Sequence, residues 1–218
     1  MLLVLASRFD GEARAFVDER LAGRALLLTP ADLSASGWNV TWRFPGENMG
    51  EAGGLTFRSA DVSAALSLLP AVTQHELPHI AVEDQEYVAA ELHAFLRFWL
   101  SELSCPVYNR PSHGGLSAAP WSERRWRWTA AEAGLLPVTT GHANAADMLM
   151  SVVDGAVIDG EASADQRLAA RRLSEASGAT TLTLHFRDGR FAAAFPRPLL
   201  AQPKVADAVE RLLQGPEP

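Results

Sequence analysis

Residues 75–79 read His-Glu-Leu-Pro-His. An H-E-x-x-H run holds zinc when both histidines project from one helix face and the glutamate serves as general base. Pro78 works against that arrangement. It removes a backbone N–H and clashes inside an interior helical turn. His75 and His79 are therefore expected in a surface loop, with no metal between them. Ser112-His113-Gly114-Gly115-Leu116 has the composition of an oxyanion loop, but no G-x-S-x-G elbow supplies a nucleophile. A flexible connector is expected there. Cys105 opens an apolar strand, where a lone thiol packs as a small hydrophobe. Being the only cysteine, it also excludes an internal disulfide.

Two further stretches carry unusual side chains. In "WSERRWRW", residues 121–128, Trp121, Arg125 and Trp128 share one helical stripe, and Glu123 and Arg127 are an i,i+4 pair. A core-facing tryptophan stripe with solvated arginines is one reading. The other is a docking surface, since Trp and Arg dominate interface hot spots. Trp121, Arg124, Arg125, Trp126 and Trp128 are its candidate residues. The second stretch is "HFRDGRFAAAFPRPLL", residues 185–200, which reads as strand, tight turn and strand, then a proline-punctuated loop. Its second strand carries Ala and Phe where a catalytic hairpin would carry carboxylates.

The elements that must position these residues follow from periodicity. Leu2 to Ser7 is a continuous apolar run, the pattern of a central parallel strand. A helix over Glu12 to Ala22 and a second apolar run from Arg24 to Thr29 complete a right-handed βαβ unit. An alternating strand is expected around Val40 and Trp42, a hairpin-like loop over 46–54, and a short strand over Leu55 to Phe57. "VSAALSLLP" reads as a short helix or turn running into a strand. Val88, Leu92, Phe95, Leu96, Trp99 and Leu103 recur at helical steps, giving a long helix over 84–103. A strand at 105–108, a helix over 121–133 ended by Gly134, and a strand from Leu135 follow. "SVVDGAVID" is a hairpin with Asp154-Gly155 at its tip. Helices over 165–177 and 205–213 bracket the closing hairpin.

Composition sets the outer limits. The 218 residues are 48% hydrophobic and 21% charged, ordinary for a globular chain with a packed core. The formal charge of -7 gives no sign of the basic surface that nucleic-acid binding needs. The N-terminal apolar run is too short for a signal h-region or a membrane span, and with the scarce cysteine it predicts a cytoplasmic protein. Of 19 Lys and Arg, one is lysine, Lys204.

The order of these elements resembles the ATP-grasp peptide ligases that make microviridin-type peptides, the graspetides. "MLLVLASRFDGEARAFVDERLAGRALLLTPADL", "EYVAAELHAFLRFWLSELSCPVYNRPS" and "WRWTAAEAGLLPV" resemble that family's front. "LAARRLSEASGATTLTLHFRDGRFAAAFPRP" resembles its end. The resemblance implies an α/β fold: a Rossmann-like parallel-sheet domain over residues 1–115, followed by an ATP-grasp-like α+β portion over 116–218. It also implies where this chain departs from the family. A metal-binding Asp falls at His185, a Glu at Phe195 and an Asn at Arg197. Magnesium wants hard oxygen ligands, which Phe and Arg cannot supply. The first of the family's phosphate-binding lysines falls among Glu123, Arg124 and Arg125, and arginine does not replace lysine's compact point charge. Where the family has a nucleotide lid, "GHANAADMLMS" stands.

The resemblance and its departures together predict a truncated ATP-grasp-like remnant without cofactor or metal. It would be a non-catalytic accessory or binding protein in a peptide or amino-acid-derived natural product pathway. Its partner would be a precursor peptide, an active ligase or another pathway enzyme, with self-association open. The alternative is an enzyme: a shortened ligase whose lid a partner supplies, or a scaffold repurposed around His142, His185 and Arg197.

Overall fold

The protein is described by a computed structural model covering all residues except 35, 42, 113, 119, 139–146, 159–161 and 216–218. It forms two compact units, Met1–Ser117 and Ala118–Pro218.

The first unit is built on a parallel sheet. β1 (Leu2–Leu5) is buried along its whole length and is followed by α1 (Gly11–Ala15), which runs on as a π-turn over Phe16–Arg20. Asp10 caps α1 by accepting from the Ala13 N–H at 3.0 Å. β2 (Ala25–Leu28) returns parallel to β1. β3 (Met49–Ala52) and β4 (Leu55–Arg58) form a separate antiparallel hairpin, and β5 (Ala64–Ser67) runs parallel on the other side of β1. α2 (Gln85–Glu102) leads into β6 (Val107–Tyr108), giving the order β2-β1-β5-β6. β1 is thus central, as its unbroken apolar run predicts. "VSAALSLLP" contains strand and no α-helix, because burial on both faces suits the Ala64–Ser67 run.

The expected strand around Val40 and Trp42 is corrected. Trp42 lies outside the described residues, and Val40 is in no strand; an isolated bridge joins Asn39 to Met49. The 46–54 stretch is no loop but holds β3. The reason lies in packing around Trp38. Its ring meets Phe95 and Trp99 edge-on at 5.3 Å and Phe57 at 6.1 Å. Trp38 Nε1 donates to the Asp32 carbonyl, and Trp99 Nε1 to Ser59 Oγ, both at 2.9 Å. Gly50 lets this cluster close, since a Cβ there would lie 2.6 Å from Phe57 Cζ and 3.0 Å from Trp38 Cη2.

The His-Glu-Leu-Pro-His stretch forms a 3-10 turn over Gln74–Glu76. The two histidines are exposed, but Glu76 is buried. Its carboxylate accepts from the Ser7 hydroxyl and, at 3.1 Å, from the Arg8 N–H, tying the loop to the end of β1. A surface loop therefore describes the histidines and not the glutamate.

The second unit is an antiparallel sheet. α3 (Glu123–Ala133) starts two residues after Trp121 and ends at Gly134. Pro137 pairs with Phe191 through a single parallel bridge, which replaces the expected strand at 135–138. β7 (Asp147–Val153) and β8 (Ala156–Val157) join through Asp154-Gly155, both at positive φ, the turn this dipeptide favours. α4 (Ala164–Ser177) opens with a reciprocal Ser163–Gln166 capping box. β9 (Thr181–Arg187) and β10 (Arg190–Phe195) form the closing hairpin, and α5 (Pro203–Gln214) ends the described chain. The order is β10-β9-β7-β8. No helix among the described residues is long and apolar enough to cross a membrane.

Leu96 and Trp99 are fully buried on α2. Leu96→Asp places an unpaired charge among them and is expected to cost about 3–5 kcal/mol, read as a lower midpoint in urea. Glu76→Ala leaves the Ser7 hydroxyl and Arg8 N–H without their acceptor. A loss of about 1–3 kcal/mol is expected in the same measurement.

Candidate functional site

Strand alternation divides β9 between two faces. Leu182, Leu184 and Phe186 are fully buried and join Trp126, Ala130, Ala133, Ala169, Ala170 and Leu173 in one core under α3 and α4. Phe186 meets Phe191 edge-on at 6.4 Å in that core. The remaining β9 residues, Thr181, Thr183, His185 and Arg187, face the other way. Toward β8 this second face is covered: Ser151, Val153, Thr181 and Thr183 are buried, and α5 packs against β7. Its other end is open, with Leu149 42% and Phe195 50% exposed.

Register arranges this second face in rows across three strands. Asp147, Arg187 and Arg190 form the first; Leu149, His185 and Ala193 the second; Ser151, Thr183 and Phe195 the third. A bulge between Phe191 and Ala193 brings Ala193 beside His185. The ionic side chains converge on one carboxylate oxygen. His185 Nε2–H donates to Asp147 Oδ1 at 3.1 Å, and Arg187 Nε–H donates to the same atom at 3.3 Å. These two bonds, that from His185 foremost, hold the Asp147 carboxyl below the ordinary aspartate range.

The three positions singled out in the closing hairpin are thus differently placed. His185 lies on this face at the Asp147 cluster. Phe195, opposite Thr183, presents a half-exposed ring on the edge strand. Arg197 follows the strand, and its carbonyl accepts from Thr183 Oγ1 at 2.6 Å. Asp147 escapes sequence reasoning because it stands 38 residues from His185 and belongs to no motif. Only the β7–β9 register brings them together.

The tryptophan-arginine stretch divides as well. Trp126 is buried in the core and Trp121 is half-buried against it, while Arg125 and Trp128 of the expected stripe stay outside. Trp121 precedes α3, packs its ring 4.7 Å from that of Trp126, and lies under the Arg125 guanidinium at 4.5 Å. Arg124, Arg125 and Trp128 are exposed, Trp128 by 68%. Arg127 pairs with Glu123 at 2.8 Å, as the spacing predicts. His142 and His113 lie outside the described residues, as does most of the short stretch in the lid's position. A separate cleft of about 750 Å³ in the first unit is lined by His75, Glu86 and His93 among others. His93 is committed there: its Nδ1 accepts from the Val72 N–H, so its Nε2–H donates to the Gly114 carbonyl at 2.8 Å.

Solved structures similar to this one include macrocyclases and ATP-grasp ligases. The macrocyclase MdnC, bound with precursor peptide MdnA from Microcystis aeruginosa MRC, aligns over 99% of this chain and 100% of its own, at TM-score 0.73 and 10% identity. The chain has the fold of the RiPP-associated ATP-grasp ligases. PsnB, complexed with a minimal precursor, aligns over 89% of each chain at TM-score 0.66 and 12% identity. A Chryseobacterium gregarium RiPP-associated ATP-grasp ligase, in complex with ADP and a leader and core peptide, gives 0.65 and 10% over 99% of this chain and 97% of its own. No protein-family model and no curated protein matches the sequence.

A carboxyl held below its unfolded value stabilises the fold above that value, and the contribution is lost as pH falls through the folded one. The Asp147 carboxyl is expected to titrate by NMR below an ordinary aspartate. In a His185→Gln, Arg187→Gln variant its midpoint should return upward. An unchanged midpoint would mean that the two donors do not hold it.

Proposed function

We propose that this protein is a non-catalytic, ATP-grasp-like binding subunit of a peptide natural product pathway, acting in the cytoplasm through a precursor peptide or a pathway enzyme. The fold supports the pathway, since its structural neighbours include ligases solved with precursor peptides. The donor set supports the loss of catalysis, and one observation carries it. At the positions where the resemblance calls for Asp, Glu and Asn, the closing hairpin presents His185, Phe195 and Arg197. The carboxylate beside His185, Asp147, already accepts from both His185 and Arg187. These residues do not fit magnesium, which takes several oxygen ligands at once. Among the described residues no group of three or more His, Cys, Asp or Glu side chains is gathered for a metal. A single lysine, Lys204 on α5, and the few residues between Val138 and β7 support the further absence of phosphate lysines and of a nucleotide lid.

Calorimetry at millimolar ATP with magnesium is expected to give no saturable heat. Saturable binding would instead favour the shortened ligase completed by a partner. The partner half of the reading is tested separately. Precursor peptides encoded beside this gene are titrated into the protein, and at least one is expected to bind without ATP.

A further inference from the structure

The first row of the open sheet face has an uncompensated charge. Arg187 and Arg190 are direct cross-strand partners. Like charges so placed repel one another. The one carboxylate in the row, Asp147, receives Arg187 through Nε alone and also receives His185. The terminal amino groups of Arg187 keep their donors, with its side chain 42% exposed. Asp188, the other carboxylate of the hairpin, sits in the turn at φ 50° and is itself engaged. The row is therefore two guanidinium groups to one acid, and an arginine fork is shaped for a carboxylate.

The next rows each present one large exposed apolar side chain. Leu149 and Ala193 flank His185, and Phe195 stands one row beyond, next to the buried Thr183 and Ser151. Successive rows are two residues apart along a strand, about 7 Å. An extended chain lying along the sheet face repeats that spacing, so its residues i and i+2 meet neighbouring rows.

We propose that this face captures an extended peptide segment of the form Glu-x-Leu, with the acid on the Arg187–Arg190 row and the apolar residue on Leu149, Ala193 and Phe195. This rests on the peptide-partner reading above and gives that partner its chemistry. Capture here makes and breaks no covalent bond. The charge surplus supplies the acidic preference, and the exposed Leu149 and Phe195 supply apolar contact that water would otherwise occupy.

The test uses the full chain, two fluorescent peptides, Ser-Glu-Ser-Leu-Ser-Glu-Ser-Leu and the same peptide with Gln for Glu, and unlabelled inorganic phosphate as competitor. The Glu peptide is expected to bind, more weakly as salt rises, with the Gln peptide at least about tenfold weaker, the loss of one charge-assisted contact. R187Q/R190Q is expected to lose the Glu peptide by a similar factor, and Leu149→Ser to weaken both peptides. All these positions are at least partly exposed, and circular dichroism checks that the variants fold. R187E/R190E should reverse the preference toward a Lys-containing peptide. Equal binding of the Glu and Gln peptides, indifference to R187Q/R190Q, or full displacement by millimolar phosphate would each overturn the proposal. A genomic precursor that binds the parent and R187Q/R190Q equally would overturn this site while leaving the peptide-partner reading intact. Failure of every precursor and of the Glu peptide would remove both.

Discussion

The second unit depends on β9, a strand paired on both sides along nearly its whole length. Its alternate residues Leu182, Leu184 and Phe186 are fully buried under α3 and α4. Burying three large apolar side chains contributes about 1.5–3 kcal/mol each. A one-residue slip would turn all three outward and bring Thr183 and His185 into the core. The register is therefore fixed by the core, and the opposite face inherits it. That His185 meets Asp147, and that Arg187 meets Arg190, follows from hydrophobic packing on the far side of the sheet.

The same constraint explains how this skeleton can change its chemistry without losing its fold. Residues on the open face contribute little to the core. Substitution at its exposed positions leaves the buried rows untouched. Phe195 is half exposed, and Arg197 is held through its backbone carbonyl by Thr183, an interaction that any residue at 197 could provide.

The first unit relies on aromatic packing. The rings of Trp38, Phe57, Phe95 and Trp99 meet edge-on or tilted, worth about 0.5–1.5 kcal/mol per pair beyond burial. Both indole N–H groups of the two tryptophans find acceptors. Glu76 closes the end of β1, the position where open α/β sheets commonly receive ligands. Here the chain's own carboxylate occupies the donors of Ser7 and Arg8.

The sequence by itself determined the elements whose signals are local. The apolar run of β1, the helical period of α2 and α4, and the Asp-Gly turns of both hairpins each act within a few residues, through burial, periodicity or backbone conformation. Strand pairing across distance was not legible. β3 lay hidden in a glycine-containing stretch, since Gly50 is needed for a close approach to Phe57 and Trp38 that only the folded chain creates. The candidate site was legible by half. His185, Phe195 and Arg197 stood out in one hairpin, whereas Asp147 and Leu149 carry no mark in the sequence. Tertiary structure alone decided their place, because cross-strand neighbours are set by register, and register here is set by which side chains of β7 and β9 the core can bury.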